Sequence, residues 1–205
     1  MFQLSVDDMR KMLFSVVIPA AGNSERMGRQ KALLPYGNGF SFAQHLTVGF
    51  SNFGCNPVVI VVNEEFDSTT LHEENLIIVV NHDVEKGRSH SIHLGLQHIP
   101  EGVACFIHNI DNPFPVLRLL RKLLKAVPPD GYAVPVYHSI GGHPILLGRG
   151  VVDFLRNHTP SSDFRQILQC FRRVEVPCTD KKILWNINTP EEYQRFILST
   201  HPKSG

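Results

Sequence analysis

The residues best suited to chemistry lie in the run Pro19-Ala20-Ala21-Gly22-Asn23-Ser24-Glu25-Arg26-Met27-Gly28-Arg29-Gln30-Lys31. Small side chains let a backbone approach a ligand closely, and glycine permits turns that aim successive N–H groups at phosphate oxygens. Arg26 offers a planar fork for a phosphate, and Lys31 a mobile point charge. The spacing is neither Gly-x-x-x-x-Gly-Lys-Ser/Thr nor Gly-x-Gly-x-x-Gly. It therefore argues against a Walker-type ATPase and against the dinucleotide fingerprint of dehydrogenases. Taken alone, the loop also fits an ordinary basic surface turn.

Three further segments carry candidate groups. The apolar run Cys105 to Ile110 ends in Asp111-Asn112-Pro113-Phe114. A carboxylate at the carboxyl end of a buried strand faces the crevice where open α/β sheets place ligands, and it suits a magnesium ion. On position alone, Asp111 or Asn112 equally well caps a helix starting near Pro113 or Pro115. In Asn186-Ile187-Asn188-Thr189-Pro190-Glu191-Glu192, Thr189 and Glu192 have capping-box spacing with Pro190 at the first helical position. A helix start leaves the two asparagines unexplained. The segment Gly87-Arg88-Ser89-His90-Ser91-Ile92-His93 opens another helix, with Ser89 as its N-cap. His90 and His93 lack a nearby third ligand for zinc and read as a solvated helix face.

The elements that must position these groups alternate. Apolar runs suited to strands buried on both faces cover Phe14 to Ala21, Val58 to Val62, Leu76 to Val80 and Cys105 to Ile110. Tyr132 to Tyr137, Ile145 to Leu147, Val174 to Val176 and Ile183 to Ile187 follow. Between Val116 and Val127 the apolar residues fall at helical spacing, with Arg118, Arg121, Lys122 and Lys125 on the opposite, solvated face. Such alternation predicts a three-layer α/β/α sandwich with right-handed crossovers. No repeat or linker divides residues 1–205, so one domain is expected, with residues 1–11 as an extension ahead of the core.

Composition narrows the partners. Over 205 residues, 20 Lys plus Arg against 19 Asp plus Glu give a net charge of only +1, with 42% hydrophobic residues. That balance argues against a nucleic-acid binder and gives no reason to expect a membrane surface. Cys55, Cys105, Cys170 and Cys178 stand far apart, as expected of reduced thiols in a cytoplasmic protein. The stretch Met12 to Ala21 imitates a secretory signal, but Asp7 and Asp8 sit where positive charge belongs, and a buried strand is the better reading.

The residues Ala20-Ala21-Gly22, Ser24, Arg26-Met27-Gly28, Lys31 and Leu33-Leu34-Pro35 resemble the signature loop of the MobA/MocA-like NTP transferases. This family includes the molybdenum-cofactor guanylyl- and cytidylyltransferases. Asp111-Asn112-Pro113 is similar to its Asp-x-Pro, and Asn186-Ile187-Asn188-Thr189-Pro190 to its closing motif. Ser91 with Gly95-Leu96, and Gly142-His143-Pro144, resemble the cytidylyl branch. Asp163-Phe164-Arg165 matches a further motif only in part, since both glycines are missing.

The resemblance implies a Rossmann-like, mostly parallel sheet with one antiparallel strand, of the nucleotide-diphospho-sugar transferase type. It implies that Arg26 and Lys31 neutralise a triphosphate, and that Ala20, Ala21, Gly22 and Ser24 line the nucleotide. Ser91 would contact base or ribose, Asp111 and Asn188 would hold Mg2+, and His143 would meet the acceptor. The expected substrates are a nucleoside triphosphate, CTP favoured, and a phosphorylated acceptor such as molybdopterin, with a molybdoenzyme-maturation partner downstream. Two rivals remain: an isoprenoid- or sugar-phosphate cytidylyl- or uridylyltransferase, and a catalytically silent nucleotide-binding module.

Overall fold

A computed structural model describes residues 13–37, 39–158 and 163–200. The expected extension over residues 1–11 lies outside them. The first apolar run forms β1 (Phe14–Pro19), followed by a glycine-containing loop with two short 3-10 turns. A small antiparallel pair, β2 (Pro35–Gly37) and β3 (Phe40–Ser41), leads into α1 (Phe42–Phe53). Next come β4 (Val58–Val62), β5 (Leu76–Val80), α2 (Gly87–Leu96), β6 (Ala104–Ile107) and α3 (Leu117–Ala126). The chain continues through β7 (Gly131–Tyr137), β8 (Ile140–Gly141), β9 (Ile145–Leu147), α4 (Arg149–Asn157), α5 (Phe164–Leu168), β10 (Arg172–Pro177) and α6 (Pro190–Thr200).

The sheet order is β10-β7-β9-β6-β1-β4-β5, with β8 paired to β7. Strands β10, β7, β6, β1, β4 and β5 run parallel, and β9 runs antiparallel between β6 and β7. The expected mixed sheet with one reversed strand is therefore present, with the two-residue β8 as an addition. Successive side chains of a strand point to opposite faces. Val16, Ile18, Val58 and Ile60 pack with Phe42, Phe50, Leu120 and Leu123 on one side. Val17, Val59 and Val61 pack with Ile92, Leu96, Val151 and Leu155 on the other. Both faces of the sheet are covered, which is why β4 reads as an unbroken apolar run and β1 as one interrupted only by Ser15.

On α3, Leu119, Leu120, Leu123 and Leu124 are buried while Arg118, Arg121, Lys122 and Lys125 face solvent, as the spacing implies. Each buried leucine contributes about 1.5–3 kcal/mol. The four cysteines are free thiols, with Cys55 and Cys105 buried. Among the described residues no helix is long and apolar enough to cross a membrane.

Two local readings are corrected. Ile183 to Ile187 is not a strand: Lys181–Leu184 is a 3-10 turn, started by Asp180, whose side chain accepts from Lys182 N. Ile183 and Ile187 are buried as expected, but the backbone is held by other groups, described below. Ser89 is not an N-cap either. A 3-10 turn over Val84–Lys86 runs directly into α2, and the Ser89 hydroxyl instead accepts from Phe164 N at 2.9 Å.

Gly95 sets how closely α2 lies on the sheet. A Cβ there would meet Val17 Cγ1 at 2.5 Å and Val61 Cγ2 at 3.0 Å. Gly95→Val should lower stability by about 2–3 kcal/mol through overpacking, measured by urea unfolding. An unchanged midpoint would contradict this close approach.

Candidate active site

The loop after β1 is folded around Ser24, a non-glycine residue with φ of 54°. Its carbonyl accepts from Met27 N at 2.8 Å and from Gly28 N at 3.2 Å. Its hydroxyl donates to Gly22 O and accepts from Lys31 N, both at 3.3 Å. The loop therefore holds its shape through its own backbone, while buried Met27, Ala32 and Leu34 anchor it in the core. Gly28, with φ of 69°, makes a turn that a larger side chain disfavours.

This loop forms one wall of a cavity of about 190 Å³ at the carboxyl ends of β1 and β6. Ala20, Ala21, Gly22, Ser24 and Lys31 line it from one side, Ser91 and Asp111 from others. Arg26 sits on an adjoining, more open cavity that also touches Ser24, Lys31 and Asn188. The structure thus brings together every residue expected to hold nucleotide or metal. His143 lines neither cavity and stands one layer behind, against Asn109.

Lys31 is the meeting point. Its Nζ donates to Asn188 Oδ1 at 2.6 Å and lies 3.8 Å from Asp111 Oδ2, with the two ionic side chains only 15% and 18% exposed. Burial lowers the pKa of Lys31 and raises that of Asp111; their mutual attraction offsets only part of each shift. An added anion near Lys31 and an added cation near Asp111 would relieve both.

The closing segment reaches this point through specific bonds. Ile187 N donates to Asp111 O at 2.7 Å. The fully buried Asn112 donates from Nδ2 to Lys182 O and Trp185 O at 2.9 and 3.0 Å. Trp185 stacks on Phe114 at 5.3 Å. The capping box is present: Thr189 N donates to Glu192 Oε2, and Glu192 N to Thr189 Oγ1. Neither Asp111 nor Asn112 caps a helix, because α3 begins only at Leu117.

The oxygens available suit a hard cation. Asp111 Oδ1 and Asn186 Oδ1 are buried without a hydrogen-bond partner. Among the described residues no group of three or more His, Cys, Asp or Glu is placed to hold a metal, so most of an ion's shell must come from substrate phosphates and water. Asn188 Oδ1 accepts from Lys31 and keeps a second lone pair for a metal.

Several contributing residues escaped the sequence reading. Asn81 Nδ2 donates to Ser91 Oγ at 3.0 Å, leaving the Ser91 proton free to donate. Arg88 and Asn109 line the cavity beside Asp111. Asn81, Asn109 and Asn112 all follow closely on the carboxyl ends of β5 and β6, and that position is the signal that marks them. His93, read as solvated, packs its Nδ1 against Leu155 O at 3.2 Å, whereas His90 lies 3.7 Å from Asp83.

Burial also holds His45 and His108 down to about 4 and His143 to about 3. An unfolded histidine takes up its proton near pH 6.5, so between that pH and about 4 the unfolded chain binds more protons. Stability should therefore fall on acidification from pH 7 to 5, by up to about 1.4 kcal/mol per pH unit for each histidine. Urea unfolding at the two pH values checks this, and a flat profile would contradict it.

A mostly parallel sheet, an anion-suited loop at the end of its central strand and an acid one strand away define a nucleotide-handling α/β enzyme. Residues 16–176 match the MobA-like NTP transferase domain. The chain belongs to that family of nucleotidyltransferases. It is 24% identical over 180 residues to the molybdenum cofactor cytidylyltransferase of Escherichia coli (strain K12), covering 86% of this chain and 92% of the relative. It is 32% identical over 130 residues to the 2-C-methyl-D-erythritol 4-phosphate cytidylyltransferase of Geobacillus thermodenitrificans, covering 60% of this chain and 57% of that one. The fold is similar to the crystal structure of Rv0371c from Mycobacterium tuberculosis, with a TM-score of 0.76 and 20% identity, over 91% of this chain and 98% of the other.

Proposed function

We propose that this chain transfers a nucleoside monophosphate, CMP from CTP, to a phosphorylated acceptor of the molybdopterin type and releases pyrophosphate. The observation that carries this reading is Lys31, held between Asn188 and Asp111 where the signature loop meets the closing motif. An acceptor phosphate oxygen forms a bond to the α-phosphorus, and the bond from that phosphorus to the bridging β-phosphate oxygen breaks. Such a displacement needs alignment and charge neutralisation rather than a covalent nucleophile.

Lys31 leaves Asn188 for the β- and γ-phosphates and, with Arg26, neutralises the departing pyrophosphate. Ala20, Ala21 and Gly22 let the nucleoside lie against the backbone, and Ser91 donates its free proton to base or ribose. Asp111 and Asn188 would hold Mg2+, which when bound supplies charge neutralisation at the phosphates. His143, neutral at pH 7, acts on the acceptor side through Asn109. The similarity to two cytidylyltransferases supports CTP. The Asp111-Asn112-Pro113 and Gly142-His143-Pro144 segments favour a molybdopterin-like acceptor over an isoprenoid phosphate.

A thermal-shift panel of CTP, GTP, UTP and ATP with magnesium tests the nucleotide, because a bound ligand raises the melting temperature with its affinity. CTP should give the largest shift. Pyrophosphate release with molybdopterin or with methylerythritol phosphate as acceptor then separates the enzymes. Binding without turnover on either would favour the silent module.

A further inference from the structure

Arg88 is a cation without a counter-ion. Among the described residues no carboxylate lies within ion-pair distance of its guanidinium, although burial already disfavours its charge. Its partners are neutral: Nε and Nη2 donate to Asn109 Oδ1 at 2.9 and 2.7 Å, and the group lies over the Phe164 ring at 5.7 Å. It lines the same cavity as Lys31 and Asp111. Asp111 feels the attraction of both cations.

The orientation of Arg88 is fixed by a chain of donors and acceptors with one consistent solution. A guanidinium only donates, so the side of Asn109 facing it must be the carbonyl oxygen. The amide nitrogen then faces His143, donating to Nε2 at 3.0 Å. Nε2 is therefore an acceptor, and the single proton of the neutral ring sits on Nδ1. His143 is in turn tied by its backbone, whose N–H donates to Ile183 O at 2.9 Å. The start of β9 thus holds Asn109, and Asn109 holds Arg88 at the cavity wall.

We propose that Arg88 is the binding residue for the phosphate group of the acceptor, with Asn109 and His143 as its positioning residues. This rests on the nucleotidyltransferase reading. Lys31 serves the leaving pyrophosphate, and the nucleophile in a displacement must arrive on the opposite side of the α-phosphorus. A second cation in the same cavity, attracted by Asp111 and Asp163 but ion-paired with neither, is suited to that incoming phosphate. An amide holds Arg88 without cancelling its charge, which a carboxylate at position 109 would do.

The test uses the full chain saturated with the α,β-methylene analogue of CTP and magnesium, titrated with inorganic phosphate by calorimetry. The wild type should bind phosphate, and Arg88→Met should bind it at least tenfold more weakly. Asn109→Asp, nearly the same shape, should lose phosphate to a similar degree, because its carboxylate neutralises Arg88. In this variant the nitrogen-15 imidazole signals of His143 should change from an Nδ1–H to an Nε2–H tautomer or an imidazolium, a shift that simple loosening would not produce. Affinity for the CTP analogue should change far less than affinity for phosphate in both variants. Unchanged phosphate affinity in Asn109→Asp, or an Nε2–H tautomer in the wild type, would overturn the proposal. So would a loss confined to the nucleotide, which would assign Arg88 to that substrate. Failure of the wild type to bind the CTP analogue would instead sink the nucleotidyltransferase reading.

Discussion

Lys31→Ala should reduce kcat for nucleotide transfer by about 100- to 1000-fold, the usual cost of deleting one preorganised charge-stabilising group. The loss follows from what Lys31 touches. Its ammonium is held 2.6 Å from Asn188 Oδ1 and 3.8 Å from Asp111 Oδ2, in a loop that keeps its shape through Ser24. A triphosphate arriving there meets a charge already in the cavity, which has only to turn from Asn188 to the phosphates. Alanine removes the charge but leaves Ala32 and Leu34, the neighbours that anchor the loop, in the core. The fold should therefore persist, checked by circular dichroism and thermal melting beside a pyrophosphate-release assay. A rate near that of the wild type would exclude Lys31 from the chemistry.

The second large effect is expected at Asp111, and there stability and activity should move in opposite directions. Asp111 is largely buried, its Oδ1 has no partner, and burial pushes its pKa up further than Lys31 and Arg88 pull it down. A carboxylate so placed is unfavourable for the free chain and is retained for what it binds. Asp111→Asn keeps the shape and the backbone bond from Ile187 N, and removes the desolvated charge. Thermal stability in the absence of ligand should be equal or higher. Transfer activity should fall about 100- to 1000-fold, since several kcal/mol of charge stabilisation are lost with the acid that would hold the metal. A variant that is both less stable and fully active would contradict the assignment.

Much of this site was readable in the chain because each part of it marks its own place. A buried apolar run ending in a polar group announces the rim of a parallel sheet, and Pro19 to Lys31 and Ile110 to Asn112 both do so. The capping box at Thr189 and Glu192 needs only local spacing, and it appears as expected. What failed was local structure decided by distant groups. Four apolar residues in the five from Ile183 to Ile187 look like a strand, yet their backbone is fixed by Asn112, Asp111 and His143, 40 to 76 positions earlier. Ser89 looked like a cap because a cap rule presumes coil before the helix, and here a 3-10 turn precedes it. Arg88 went unnoticed for a different reason. An arginine among serines and histidines signals nothing until the fold shows it in the cavity, held by the neutral Asn109 rather than in an ion pair.

The reversed strand β9 has a consequence for how this architecture diversifies. The neighbouring parallel strands run towards the rim, while β9 starts from it, so the tight turn from His138 to Gly142 lies at that rim. The ladder holding β9 begins only at Ile145, opposite Ile107, and runs through Leu146 and Leu147. Residues 138–141 are exposed, and His138 and Ser139 adopt φ of 47° and 67°. Length changes at that tip leave the register of the ladder untouched and do not reach the loop after β1. Descendants of such a chain can therefore reshape this stretch of the rim by insertion while inheriting the loop after β1 intact.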